Sequence, residues 1–225
     1  MQTHTKSPNS SSKNNSSVSG ESRRLRPLSD RDHELLRLVA EQRMVRGDHL
    51  AGLLGRRPSE VRRVVERLAR DGYVEQQRFL VAESDPWVWL TQMGVRVSGT
   101  GYPHYVPKLG AFAHAAGVNE VRLALAKQHP RAKWVSERAL SQADGRVGIH
   151  LADGAYELAG KRYAIEVELS PKRPGKVAHI VADLSERYDG VEYHCTPATR
   201  RVVEAAQRRH SLADLYIYDL VTEAR

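Results

Sequence analysis

Residues 58–74 read PSEVRRVVERLARDGYV, and this stretch decides the fold of the first half of the chain. Its apolar side chains recur at helical spacing: Val61, Val64, Val65 and Leu68. Pro58 suits the first position of a helix, and Asp71-Gly72 ends the pattern. Four arginines occupy the other face: Arg62, Arg63, Arg67 and Arg70. The stretch therefore predicts an amphipathic helix with one apolar and one basic face.

The segments on both sides of this helix complete a small domain. A first helix begins near Ser29 or Asp30, either of which can cap it, and a short second helix covers residues 47–54. After the third helix, residues 73–81 and 87–90 have extended character, and turn-forming residues between them make a hairpin. Three helices and a two-stranded ribbon predict a winged helix-turn-helix over residues 25–100, whose third helix enters the major groove of DNA.

The net charge agrees with a nucleic-acid partner. The chain has 225 residues, with 35 Lys plus Arg against 27 Asp plus Glu, a net charge of +8 and a pI near 9.7. Such a balance favours a polyanion, because binding releases condensed counterions. We therefore expect double-stranded DNA as the partner and five arginines as its contacts: Arg57, Arg62, Arg63, Arg67 and Arg70. A solvated arginine-rich helix face is the alternative interpretation.

Composition argues against several other classes of protein. The apolar runs are far shorter than the roughly 20 residues of a membrane span, and residues 1–20 lack the apolar core of a secretory signal. The single cysteine, Cys195, cannot form an intramolecular disulfide, and the chain has no His-Glu-x-x-His motif. We therefore expect a cytoplasmic protein without a membrane partner or structural zinc. Residues 1–22, rich in Ser and Asn, predict a disordered tail.

The second half of the chain follows another pattern. Glycines and prolines predict a linker over residues 101–112, and residues 113–222 predict an α/β domain with a mixed sheet. Its predicted elements are, in order, a helix at 114–128, strands at 134–140, 149–158 and 162–169, a helix at 174–188, a strand at 191–195, a helix at 197–209 and a strand at 215–220. The chain is thus expected to hold two domains, an α+β winged helix and an α/β domain.

Acidic residues in two neighbouring predicted strands are the candidates for chemistry. Asp153 lies in the middle strand of the three, and Glu166 and Glu168 lie two apart in the next, so both glutamates share one face. Mg²⁺ is held by one or two carboxylates, here Asp153 and Glu166, and it can activate water against a phosphodiester. Glu120, on the preceding helix, is a candidate fourth acid. A half-exposed strand also alternates charged and apolar residues, so a solvated strand face is the alternative.

The order helix, three strands, helix, strand, with ADG at 152–154 and IEVE at 165–168, resembles the restriction-endonuclease-like PD-(D/E)xK superfamily. The resemblance implies a metal-dependent nuclease site at Asp153 and Glu166. The superfamily has a lysine two residues after the second acid, where this chain has Glu168, and in active members that lysine orients or activates the attacking water. Three nearby lysines are candidates to supply the missing charge: Lys161, Lys172 and Lys176.

Five short segments resemble the replication-relaxation family of plasmids and integrative elements of actinobacteria and other Gram-positive bacteria. They are WLTQMG at 89–94, HAAGVNEVR at 114–122, WVSERAL at 134–140, ADG at 152–154 and IEVE at 165–168. The resemblance covers residues 30–220 and implies a role in replication, relaxation or transfer of a mobile element. Three mechanisms stay open: a metal-dependent nickase, a non-catalytic regulator or initiator accessory, and a binding module for replication or transfer proteins. A homodimer is also left open.

Overall fold

The computed structural model of the chain describes residues 26–79, 85–144 and 149–220. The predicted tail, residues 1–22, lies outside these ranges. Among the described helices, none is both long and apolar enough to cross a membrane.

The first half of the described chain is a winged helix-turn-helix. Its elements are α1 (Asp30–Gln42), β1 (Met44–Arg46), α2 (Gly47–Leu53), α3 (Pro58–Arg70), β2 (Val74–Gln77), β3 (Trp87–Leu90) and α4 (Gln92–Ser98). The strands form an antiparallel sheet in the order β1-β3-β2. The sequence predicted β2 and β3 but not β1, which has only three residues and pairs with β3 far along the chain. Three helices with a small antiparallel sheet are the architecture that places α3 against DNA in this class of domain.

Two helices of this half, α1 and α4, begin at residues whose side chains cap them. The Ser29 side chain accepts a hydrogen bond from the backbone of Asp32, and the Asp32 carboxylate accepts one from the backbone of Ser29, so the two form a capping box. Pro58 stands in the first turn of α3, and the Thr91 side chain caps α4. A core from all four helices and the sheet buries the apolar faces, with these side chains fully or almost fully enclosed: Leu35, Leu36, Val39, Leu50, Val61, Val65, Leu68 and Val88.

The second half contains a five-stranded mixed sheet with helices on both faces. A 3₁₀ turn (Leu109–Ala111) leads into α5 (Phe112–Gln128), followed by β4 (Lys133–Ser136), α6 (Glu137–Asp144), β5 (Gly154–Leu158), β6 (Lys161–Glu168), α7 (Pro174–Ser185), β7 (Gly190–Cys195), α8 (Pro197–His210) and β8 (Leu215–Asp219). The strand order is β4-β5-β6-β7-β8; the pairs β4-β5 and β5-β6 are antiparallel, and the pairs β6-β7 and β7-β8 are parallel. The helix α5 packs on one face of the sheet, and α7 and α8 pack on the other.

Two of the strands predicted in the second half of the chain were wrong in extent. The predicted strand 134–140 ends at Ser136, because the Ser136 hydroxyl accepts a hydrogen bond from the backbone of Ala139 at 3.3 Å and so begins α6. The predicted strand 149–158 begins only at Gly154. Asp153 therefore lies just before β5, where its carboxylate, rather than a strand backbone, accepts from the Val167 amide at 2.8 Å.

The helix α5 contacts both halves of the molecule. Its first residue, Phe112, lies inside the predicted linker and packs edge-on against Trp87 of β3, with ring centroids 5.1 Å apart. Near the middle of α5, Asn119 donates a hydrogen bond to the Met44 carbonyl of β1 at 3.2 Å. The opposite side of α5 packs Val121 against the five-stranded sheet. The winged helix and the mixed sheet are thus joined by a shared helix as well as by the chain between them.

Candidate functional site

The face of α3 that looks away from the core is exposed and basic. Burial of Val61, Val65 and Leu68 turns the opposite side of the helix, with Arg63 and Arg70 two turns apart, towards solvent. Arg57, directly before the helix, is exposed as well. Within the described part of the chain, these three arginines form no ion pair. Their guanidinium groups are therefore available to phosphate oxygens or to the edge of a guanine base.

The other two predicted contacts, Arg62 and Arg67, are engaged within the protein. Arg62 Nη2 lies 3.0 Å from Oδ1 of Asp85, which is buried. Arg67 forms an ion pair with the buried carboxylate of Asp32 in α1, and it lies 3.9 Å from Asp71. Three of the five predicted arginines thus face solvent freely, while two hold α3 against neighbouring segments.

Sequence reasoning missed two arginines at the groove between α1 and α3. Arg31 and Arg56 line this groove, of about 460 Å³, together with Arg63. Arg56 is paired with Glu34, whereas Arg31 is exposed at the start of α1. Neither belongs to α3, so the helical periodicity of residues 58–70 carried no signal for them. Only the packing of α1 across α3 brings these charges together.

We expect Arg67→Ala to lower the free energy of unfolding by about 2 kcal/mol, because the change leaves the buried Asp32 carboxylate without its cationic partner. Arg63→Ala, a change of the same type on the exposed face of the same helix, is expected to cost less than about 0.5 kcal/mol. Urea unfolding of both variants measures the difference. Equal stability of the two variants would contradict the structural role of Arg67.

The two glutamates of β6 are buried and not solvated. Glu166 and Glu168 are 3% and 4% exposed, and they share the face of the sheet that packs against α7 and α8. The alternative of a solvated strand face is therefore wrong for both residues. Directly beside Glu166 in the parallel register lies Tyr193 of β7, which is fully buried and whose hydroxyl has no hydrogen-bond partner among the described residues.

Each of the three predicted acids has its own partner. Asp153 Oδ1 lies 3.0 Å from Nε2 of His114 in α5. Glu166 Oε1 lies 2.9 Å from Nε2 of His150. Glu168 Oε2 lies 2.6 Å from Nζ of Lys172, which is therefore the lysine, of the three predicted, that reaches these acids. We call these six side chains the acidic cluster. The two histidines are distant in sequence from their partners, and no spacing rule pointed to them.

The acidic cluster holds protons near neutral pH. Burial raises the pKa of Glu166 to about 7; the negative charge of Asp153 adds to the rise, and the hydrogen bond from His150 opposes it. Hydrogen bonds to Asp153 and to Glu166 raise the pKa of His114 and of His150, respectively. Burial also raises the pKa of Tyr193. A group such as Glu166, whose pKa lies near the working pH, is suited to proton transfer.

Glu120 does not join the acidic cluster, which corrects the prediction of a fourth acid there. Its Oε2 lies 2.6 Å from Nε2 of the buried His49 in α2, so it links α5 to the winged helix. No three His, Cys, Asp or Glu side chains are grouped to hold a metal ion within the residues that the structure describes. The structure thus brings Asp153 near Glu166, with no third carboxylate grouped with them to hold a metal among the described residues.

Comparison with known proteins gives one family match. The model of the family described as Replication-relaxation matches residues 36–195. No curated protein matches the chain.

Among solved structures, the chain is similar to regulators of the MarR type. They include a mutant of MarR from E. coli complexed with operator DNA, at 18% identity and a TM-score of 0.30, over 32% of this chain and 51% of that one. PcaV from Streptomyces coelicolor is similar at 18% identity and a TM-score of 0.30, over 46% of this chain and 62% of that one. The chain spans about half the length of the first two regulators that it matches.

Proposed function

Because this chain belongs to the replication-relaxation family, we propose that it is a cytoplasmic DNA-binding protein acting in replication, relaxation or transfer of a plasmid or integrative element. The observation that carries this proposal is the exposed face of α3, where Arg63 and Arg70 lie without ion pairs to described residues. The winged-helix architecture presents this face to a major groove. The net charge of +8 favours the same partner.

The test is a binding titration of the full-length protein with a fluorescently labelled DNA duplex at several salt concentrations. Each arginine that contacts a phosphate contributes about −0.9 to the slope of log K against log salt, so contacts by Arg57, Arg63 and Arg70 give a slope of about −3 or steeper. DNA binding that does not depend on salt would contradict the proposal, as would the absence of DNA binding at low salt.

A second candidate function is metal-dependent nicking, and the observation that favours it is the approach of Lys172 to Glu168. Glu168 stands where the PD-(D/E)xK superfamily has a lysine, and the ammonium group of Lys172 lies beside it. The element order α5-β4-α6-β5-β6-α7-β7 follows that superfamily's helix, three strands, helix and strand, except that α6 is inserted between the first and second of these strands. The nuclease-like site of this second proposal lies where β5 begins beside the second half of β6.

The residues present fit Mg²⁺ held by two carboxylates. Asp153 and Glu166 repel each other, which contributes to the raised pKa of Glu166, and a cation between them relieves this repulsion. The unpartnered hydroxyl of Tyr193 offers a further polar group at the same place, as far as the described residues show. Glu168 fits poorly as a third ligand, because Lys172 already neutralises it. Two carboxylates with waters and phosphate oxygens satisfy Mg²⁺.

In this second proposal, each residue of the site has its own role in the cleavage of a phosphodiester. Mg²⁺, when bound, supplies a Lewis acid for the phosphodiester and lowers the pKa of water. His150, 2.9 Å from Oε1 of Glu166, would hold that carboxylate in position for the cation. Lys172 carries its positive charge 2.6 Å from Glu168 and orients the attacking water. His114 keeps the Asp153 carboxylate in place through its 3.0 Å contact.

Incubation of the full-length protein with supercoiled plasmid, with and without Mg²⁺ or Mn²⁺, tests this second function. We expect metal-dependent conversion to the nicked form, a loss of about 100-fold or more in Lys172→Ala, and little change in the matched variant Lys176→Ala. Mg²⁺ should raise the melting temperature of the wild type but not of Asp153→Asn, because a ligand of the native state stabilises it.

Absence of both nicking and metal stabilisation would favour the non-catalytic alternative. The mixed sheet would then serve assembly, as a homodimer or with a replication or transfer protein. Sedimentation analysis of the free protein and of its DNA complex distinguishes the homodimer from a heterologous assembly.

A further inference from the structure

A cavity of about 470 Å³ lies between the second half of α5 and the β7–β8 side of the sheet. Its volume is in the range of small-molecule sites, which run from roughly 300 to 1,000 Å³. Leu123 and Ala124 of α5 form one wall, and Ile165 and Tyr218 of the sheet form the other. It lies on the α5 face of the sheet, whereas Glu166 and Glu168 lie on the face of α7 and α8. The cavity is thus separate from the acidic cluster.

A buried carboxylate, that of Glu192 on β7, lines this cavity. Glu192 is 9% exposed, and its Oε1 accepts a hydrogen bond from the Tyr156 hydroxyl at 2.6 Å. Its Oε2 lies 3.5 Å from Nε2 of His194, and that nitrogen has no hydrogen-bond partner among the described residues. A carboxylate can accept about four hydrogen bonds, and a buried one is costly when they are not made. Glu192 therefore has free acceptor capacity towards the cavity.

The other charges around the cavity leave Glu192 as the acid available to a ligand. Glu120 is paired with His49, and Asp219 is paired with Arg200. Of the described residues that line the cavity, Lys127 alone is a lysine or arginine, and it is exposed. The lining therefore suits a cation and disfavours a phosphate-bearing ligand.

Aromatic rings give the cavity a flat wall. The ring of His194 stacks on that of Tyr218, with centroids 5.2 Å apart and planes 20° apart, and Tyr218 is 44% exposed. Tyr156 stacks on Tyr163 in the same way, with centroids 5.0 Å apart. Flat cations bind favourably over such rings. A planar cation with two parallel N–H donors would fit the aromatic wall with its flat face. Its paired donors would match the carboxylate of Glu192.

We propose that this cavity binds a small planar organic cation, an amidinium or guanidinium compound, whose N–H groups donate to Glu192 and whose flat face lies on Tyr218. The proposal does not depend on nicking, nor on any residue of α3. It gives the mixed sheet a ligand site distinct from any role with DNA.

The probes that test this proposal are benzamidine and its neutral isostere benzamide, added to the full-length protein in calorimetric titrations and thermal unfolding. We expect saturable binding of benzamidine with a rise in melting temperature, and no measurable binding of benzamide. Glu192→Gln keeps the shape of the side chain and an acceptor for Tyr156 but removes the charge, so it should weaken benzamidine binding at least about tenfold. Glu186→Gln, a change in an exposed acid directly after α7 that does not line the cavity, is the matched control.

Far-UV circular dichroism and the melting temperature of Glu192→Gln without ligand, compared with those of the wild type, show whether the variant is folded. A Tyr218→Leu variant provides a second measurement, and its benzamidine binding should fall about tenfold through loss of the ring face. Equal binding of benzamidine to wild type and Glu192→Gln would overturn the proposal. Guanosine monophosphate serves as a phosphate-bearing probe, and its binding in preference to benzamidine would overturn the proposal as well.

Discussion

Replacement of Arg63 and Arg70 together by alanine is expected to weaken binding of a DNA duplex by the full-length protein about 30-fold or more. Lost arginine contacts to bases or phosphates cost about 1 to 3 kcal/mol each, and the two residues lie two turns apart on one exposed helix face, where their losses add. Fluorescence anisotropy at fixed salt gives the dissociation constants. The slope of log K against log salt should also become shallower by about 2 if both contacts are to phosphates.

The matched control for this experiment is the double variant Arg131→Ala and Arg209→Ala. Both arginines are exposed, and both lie outside the winged helix, so the control removes the same charge from another part of the surface. Its affinity for DNA should fall only a few-fold, through the smaller net charge. If the control and the α3 variant lose affinity equally, DNA is attracted by charge alone and α3 is not the recognition helix.

Glu166→Gln is expected to stabilise the protein by about 3 kcal/mol at pH 8 and to change its stability little at pH 5. The carboxyl of Glu166 has a pKa of about 7 in the folded protein, against an ordinary value of 4.5. Between these values the unfolded chain releases its proton first, so the stability of the wild type falls as the pH rises through this window. The glutamine has no proton to release, and the variant escapes this loss.

Urea unfolding at pH 5, 6, 7 and 8 measures the effect, with Glu186→Gln as a control at an exposed site. His114 and His150, whose pKa values are raised, add stability that is complete below their ordinary pKa and is lost as the pH rises through the folded value. The stability contributed by both histidines therefore falls with rising pH, as that of Glu166 does. The raised pKa of His150 depends on Glu166 and is lost in Glu166→Gln, whereas that of His114 depends first on Asp153, so some pH dependence should remain in the variant. A variant as pH-dependent as the wild type would contradict the raised pKa of Glu166.

Local patterns were enough to predict the winged helix. The spacing of Val61, Val65 and Leu68 predicted both the helix α3 and the face of α3 that is buried in the core, because apolar residues at helical spacing indicate a buried helix face. The same pattern did not reveal that Arg67 belongs to an ion pair with Asp32, because the partner comes from another helix. For β1, three residues are too few for an alternation to be recognised.

The acidic cluster was predicted in part. The spacing of Glu166 and Glu168 correctly placed them on one face, but it did not show that the face is buried under α7 and α8. Their partners are long-range contacts that no single-sequence rule supplies, as the 39-residue separation of His114 and Asp153 illustrates. The prediction for Glu120 was wrong for the same reason. The helical pattern shows on which face of α5 this residue lies, but not which other element packs against that face.

The helix α5 is shared between the two sheets, and this has a consequence for how the chain loses its structure. On one side Phe112 covers Trp87 and Asn119 bonds to β1; on the other Val121 packs on the mixed sheet. Unfolding of either half uncovers apolar surface of α5 and so destabilises the other half. We therefore expect one cooperative melting transition instead of two, and amides of β1 and β6 that exchange with solvent through the same global opening.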